Sequence, residues 1–198
     1  MEKDPRAHLK KTDPVLAKII SRIKLAERKP HKRYFESLCV AIINQQLSTK
    51  AAAAIVKKFV AVFPGVKFPS SAQVLRKSDK KLRTAGLSFQ KIKYIKSLAG
   101  LIENGKIDFA KFKKLTDEEI IGLLTEVKGI GRWTADMFLI SCLGRPDVFS
   151  HGDYGLKKAI LKWYKLDMKL HPKKYHKLVE SWSPHRTTAA RYLWASLN

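Results

Sequence analysis

Apolar residues along this chain recur every three or four positions, the spacing of a helix with one buried face. In "YFESLCVAIINQQLSTKAAAAIVKKFVAVF" they fall at Phe35, Leu38 and Ile42, and again at Ile55, Phe59 and Val62. Ser48 stands where an N-cap would open the second of these helices, and Pro64-Gly65 would close it. Short helices are expected over "SSAQVLRKSD" and "DKKLRTAGLS", the latter stopping at Gly86. A longer one covers "FQKIKYIKSLAGLIENG" and stops at Gly105. "TDEEIIGLLTEV" begins with Thr116 three residues before Glu119, a capping-box pattern. A further helix should run from about Asp153 to Lys165, with Leu156, Ile160 and Trp163 on its core face. Two more lie in the tail, broken near Pro184. No stretch alternates well enough to predict a sheet, so the expected fold class is all-α.

Composition then limits the partners. A chain of 198 residues can bury a sizeable core as one domain or as two closely joined lobes. Its 45% hydrophobic content excludes a disordered basic tail. Forty lysines and arginines against 17 acids give a formal charge of +23, which asks for an anionic partner, and nucleic acid is the first candidate. The lysine runs "KFKK", "LKKAILKWYK" and "HPKKYHK" read as solvated helix faces whose summed field makes binding salt-dependent. Cys39 and Cys142 sit in apolar surroundings, and two cysteines build neither a four-thiolate zinc site nor a four-cysteine iron–sulfur site. The six histidines show no metal spacing, so no metal is expected on side chains. A reduced compartment fits, as do the absence of an apolar leader and of any run long enough to span a membrane. The expected location is cytoplasmic or nucleoid-associated, or nuclear in a eukaryote.

One short stretch carries the most chemistry. In "EVKGIGRWTADMFL" a helix should stop near Val127 and the next begin near Gly131 or Arg132, so "KGIG" must reverse the chain. Gly129 and Gly131 can make that hairpin because glycine takes positive φ without a Cβ penalty, and Ile130 would point inward as a pin. The hairpin N–H groups would lie at a helix N-terminus, where dipole and unpaired donors favour an anion. Lys128 and Arg132 add charge there. An ordinary αα-hairpin turn explains the glycines equally well at this point.

The surroundings separate the two. "LLTEVKGIGRWTADMFL" resembles the helix-hairpin-helix of DNA-repair glycosylases, and "LGRPDVFSHGDYGLKKAI" is similar to that superfamily's loop with a downstream aspartate. "AIINQQLSTKAA" resembles its glutamine-containing loop between early helices. "WSPHRTTAARYLW" and "HLKKTDPVLAKII" resemble the closing and opening helices of its 3-methyladenine DNA glycosylase II branch. The resemblance covers nearly the whole chain and implies a two-lobed helical glycosylase fold with the active site in the cleft between lobes. It implies a lobe over 34–145, with the helix-hairpin-helix at about 117–143, and a second lobe of 1–33 plus 146–198.

It also implies roles. The catalytic aspartate of the family falls at Asp153, which the residues alone would give only as a helix N-cap. The two roles are compatible, since a helix N-terminus favours the charged carboxylate. A negative charge stabilises the oxocarbenium character that the sugar develops as a base leaves. A base alkylated on a ring nitrogen already carries positive charge, so one carboxylate suffices where ordinary glycosidases use two. Asp147 is the nearest rival and reads as structural, holding the "RPDVF" turn. Bifunctional relatives carry a catalytic lysine at or close to position 133, whereas Arg132, Trp133 and Thr134 form no Schiff base and Lys128 lies one turn too early. The implied enzyme is monofunctional. Trp133 and Trp194 match pocket aromatics that stack on a flipped base, with Met137 beside them. Gln45, Gln46 and Leu47 are the candidates for filling the hole left by the flipped base, with no way to choose among them. No cofactor is implied, although backbone carbonyls of Thr125, Val127 and Gly129 would match a monovalent-cation site of the family. The partner is double-stranded DNA containing damaged bases, met by a monomer. The leading function is excision of alkylated purines of the 3-methyladenine and 7-methylguanine type. Beside it stand a non-catalytic DNA-binding module and a glycosylase for oxidised or deaminated bases.

Overall fold

The computed structural model describes residues 4–27 and 29–197. Among these residues the regular structure is entirely helical. The chain runs through α1 (Pro5–Thr12), α2 (Pro14–Arg22), α3 (Tyr34–Asn44), α4 (Thr49–Ala61), α5 (Ser71–Arg76) and α6 (Asp79–Arg83). It continues through α7 (Phe89–Glu103), α8 (Asp117–Thr125), α9 (Arg132–Phe138), α10 (Tyr154–Tyr164), α11 (Pro172–Glu180) and α12 (Arg186–Ala195). A 3-10 turn lies at Lys111–Lys113 and a π-helical turn at Leu139–Leu143. The chain divides into a continuous unit, His31–Phe138, and a split unit, Met1–Pro30 with Leu139–Asn198. The expected lobe edges lay at 33/34 and 145/146; the unit edges fall at 30/31 and 138/139, the second before the π turn.

Local chemistry explains where the helices of the continuous unit begin. Ser48, Ser70, Ser78, Ser88 and Thr116 cap α4, α5, α6, α7 and α8 in succession, each accepting an N–H from the first turn. The Thr116–Glu119 capping box is present, and a second joins Ser70 to Gln73. Helix α7 packs against α3, α5 and α6, and buries Ile92, Ile95 and Leu98. Ile130 is also buried, as the pin required.

The split unit differs from the sequence reading at its start. "HLKKTDPVLAKII" is two helices rather than one opening helix, because Asp13 caps α2 and Pro14 at its first position has no N–H to continue α1. Asp13 is also the polar centre of this unit's core. Its Oδ1 accepts the N–H of Val15 at 2.8 Å and of Leu16 at 2.9 Å, and its Oδ2 accepts Tyr164 Oη at 2.8 Å and Trp182 Nε1 at 2.7 Å. Trp182 is fully buried, and burial beside this carboxylate raises the Tyr164 hydroxyl well above its ordinary pKa. Asp13→Ala strands the buried Trp182 N–H and the half-buried Tyr164 hydroxyl and removes the cap of α2. It should lower the unfolding free energy by about 3 kcal/mol. Urea unfolding measures this; a loss below about 1 kcal/mol would show that these bonds add little.

Candidate active site

Asp153 stands in the split unit as the N-cap of α10, 8% exposed. Its Oδ1 accepts the Leu156 N–H at 2.8 Å and Trp194 Nε1 at 2.8 Å. The first bond follows from local sequence, since an aspartate before a helix caps its third residue. The second brings α12 to α10, two helices that pack together. Trp194 was expected as a pocket aromatic. It is half-buried, with its indole N–H committed to Asp153, so in this arrangement it orients the carboxylate. Tyr175 of α11 is fully buried, and its hydroxyl has no hydrogen-bond partner among the described residues. Its pKa is pushed up to about 12, by burial first and then by the Asp153 carboxylate. The rings of Tyr175 and His151 lie 6.0 Å apart. Tyr175 carried no sequence signal beyond its place in a lysine-rich tail.

Asp147 holds its turn, and does so by reaching the start of α12. Its carboxylate accepts Ser183 Oγ at 2.8 Å, Arg186 N at 3.1 Å, and Arg186 Nε and Nη2 at 2.8 and 2.9 Å. Burial opposes ionisation of this group. The bonds from Arg186 and Ser183 outweigh it and hold the carboxyl below its usual pKa. Thr187 completes the tie, donating to Arg145 O and accepting the Val148 N–H.

In the continuous unit the hairpin between α8 and α9 is tight, and its two glycines are not equivalent. Gly129 has φ +90°, and a Cβ there would clash with the face of the Tyr94 ring of α7. Gly131 has no positive φ and open space around it, so of the two glycines able to make the turn it is Gly129 that uses the conformational freedom of glycine. Its carbonyl accepts the Ala135 N–H, so it begins α9. Lys128 is exposed. Arg132, expected as a cation at the hairpin, is instead forked onto Glu118, with Nη1–Oε2 and Nη2–Oε1 at 2.9 and 2.6 Å, and reaches the buried Asp136 at 3.3 Å. Trp133 is 50% exposed and Met137 half-buried.

The glutamine loop separates its three candidates. Gln45 Nε2 donates to Gly129 O at 2.7 Å, so that side chain is tied to the hairpin. Gln46 is exposed, with φ +58°, and Leu47 is 39% exposed. Two of the three carbonyls considered for a cation have partners: Gly129 O accepts Gln45, and Val127 O accepts the Ile130 N–H at 2.9 Å. Each could offer a cation only its second lone pair. Among the described residues no group of three or more His, Cys, Asp or Glu side chains could hold a metal ion. Both cysteines are buried and form no disulfide among the described residues, and no described helix is long and apolar enough to cross a membrane.

Helix, hairpin and capped aspartate together define a class, and comparison with known proteins gives the same one. Residues 39–185 match the family profile described as HhH-GPD superfamily base excision DNA repair protein. The chain is 34% identical over 181 residues to DNA-3-methyladenine glycosylase 1 of Schizosaccharomyces pombe, which covers 90% of this chain and 79% of that protein. Its structure is similar to that of DNA-3-methyladenine glycosidase from Bacillus halodurans, with TM-score 0.86 and 35% identity over 98% of this chain and 89% of the other. It is also similar to the Schizosaccharomyces pombe 3-methyladenine DNA glycosylase in complex with abasic DNA, with TM-score 0.82 and 30% identity over 96% and 94%. This chain belongs to the HhH-GPD superfamily of base excision DNA repair proteins, in its 3-methyladenine DNA glycosylase branch.

Proposed function

We propose that this chain hydrolyses the N-glycosidic bond of alkylated purines in duplex DNA and leaves the strand uncut. The observation that carries this reading is the Asp153 carboxylate, fixed by the α10 N-terminus and Trp194, in a chain whose relatives are named for this activity. The bond from C1′ to the base nitrogen breaks, and its electron pair leaves with the base, which departs neutral because alkylation had made it cationic. The Asp153 carboxylate stabilises the positive charge developing at C1′. Water adds to C1′, and its proton passes to that carboxylate and on to solvent. Trp133 offers an exposed indole face to a flipped cationic purine, an interaction of about 0.5–2 kcal/mol. Met137 lines the same side of α9. With Gln45 committed to the hairpin, Gln46 and Leu47 are the residues left to fill the vacated stack. Gly129, Ile130, Gly131 and Lys128 would seat the hairpin on a phosphate, and the high positive charge makes that binding salt-dependent. The protein acts as a monomer wherever the cell keeps its DNA.

Base release from duplexes carrying 3-methyladenine, 7-methylguanine, hypoxanthine, 1,N6-ethenoadenine or 8-oxoguanine tests the reading, with the cationic alkylated bases released fastest. Release of 8-oxoguanine alone would replace it. The product should be an intact abasic strand, cut on a denaturing gel only after hot alkali. No covalent complex should be trapped by borohydride, because trapping needs an amine joined to C1′. Activity should survive a divalent-metal chelator. Nicking by the protein alone, lost in Lys128→Ala, would make Lys128 a nucleophile and overturn the monofunctional reading.

A further inference from the structure

Helix α7 touches both segments assigned to DNA in the continuous unit. Lys91 Nζ donates to Ile43 O and to Gln45 O, both at 2.7 Å, and so closes the C-terminal end of α3 where the glutamine loop begins. These are carbonyls that a helix end leaves without partners, and a cation is favoured there. One turn along α7, the Tyr94 ring lies too close to Gly129 to admit a Cβ there, and Gln90 Nε2 donates to Tyr94 Oη at 2.5 Å. Gln45 closes the circuit by donating from its side chain to Gly129 O at 2.7 Å. The path therefore runs from Lys91 through the main chain and side chain of Gln45 to Gly129, and back to α7 through Tyr94. The next residue, Gln46, turns into the left-handed region at φ +58° and leaves Gln46 and Leu47 exposed.

Resting on the function proposed above, we infer that Lys91 and Gln45 are positioning residues that lock the gap-filling loop to the hairpin, so that seating the hairpin on the backbone sets the depth at which Gln46 and Leu47 enter the stack. Neither residue needs to touch the damaged base. Gln45 has its amide turned to the hairpin, and Lys91 is half-buried with its ammonium on two carbonyls. Burial lowers the Lys91 pKa, in keeping with a structural donor. The lock explains why a loop with two exposed candidate wedges starts with a glutamine that faces inward.

The test has two arms. Backbone amide exchange in the DNA-free protein is compared for wild type and Gln45→Leu. Exchange should speed up by about tenfold, the size of one lost hydrogen bond, at 128–131 as well as at 44–48. Unchanged exchange at 128–131 overturns the lock whatever the activity. In the second arm, Lys91→Met is mixed with a lesion duplex bearing 2-aminopurine beside the damaged base. The flipping signal and the maximal rate of base release should fall by about tenfold. The Kd for undamaged duplex should move less than threefold, and the melting temperature should stay close to wild type. Lys91→Arg, whose guanidinium can donate to both carbonyls, should restore the signal. In the double variant the losses should be less than additive. Wild-type flipping by Lys91→Met removes the inferred role. If the wild-type protein releases none of the tested bases, the proposed function fails, and the exchange arm still decides the lock.

Discussion

Asp153→Asn should lower base release by roughly a thousandfold while leaving affinity for abasic DNA largely intact. Asparagine is the informative replacement. Its side-chain oxygen can still accept the Leu156 N–H and Trp194 Nε1, so α10 keeps its cap and α12 keeps its tie. What disappears is the negative charge proposed to face C1′. Preorganised charge is worth most where the surroundings are already fixed, and here the group is buried and doubly bonded. Single-turnover excision of 3-methyladenine measures the rate, and gel shift on abasic duplex measures the docking. Excision within tenfold of wild type would remove Asp153 from the chemistry.

Gly129→Ala should produce the second large effect, a fall in DNA affinity of tens-fold for damaged and undamaged duplex alike. Positive φ costs an alanine about 1–2 kcal/mol, and the new methyl group meets the face of a ring held by its own hydroxyl bond to Gln90. Either the hairpin lifts off α7 or Tyr94 swings away. Both move the N–H groups proposed to meet the phosphate. Gly131→Ala is the matched control, because its conformation is ordinary and nothing stands within 4 Å. It should fold like wild type, so any affinity it loses reports the approach of the backbone itself. Titrating both variants with lesion and undamaged duplex separates the cases. A defect confined to damaged DNA would place the hairpin in the base pocket instead.

The helices were legible in the sequence because their signals are local. Ser48, Thr116 and Asp153 each announce a helix within three residues of themselves, and the apolar spacing of Ile92, Ile95 and Leu98 names the buried face of α7. The hairpin was legible for the same reason. What could not be read was every contact made at long range. Tyr94 shares the polar side of α7 with lysines, and nothing near it in sequence says that it lies under Gly129. Glu118 looks like a first-turn acid placed for the helix dipole, yet it takes the Arg132 guanidinium. Asp13 looks like a simple cap, and its second oxygen serves an aromatic pair from the far end of the chain. The choice proposed among Gln45, Gln46 and Leu47 also rests on one such contact, the bond from Gln45 to the hairpin.

The double duty proposed for Asp153, helix cap and catalytic charge, restricts how this chain can drift. Most positions tolerate exchange because one property can be traded for another, a cap for a different cap or a charge for a like charge. At Asp153 the helix start and the charge reside in one side chain two bonds long. Asparagine preserves the cap and drops the charge. Glutamate preserves the charge on a longer arm that no longer fits the cap geometry beside Trp194. Serine and threonine keep only a hydroxyl. No neighbouring amino acid in chemical space satisfies both requirements. A descendant that abandons base excision can therefore replace Asp153 and stay folded, and such a protein would keep the hairpin, the pin at Ile130 and the lysine-rich surface of its ancestor.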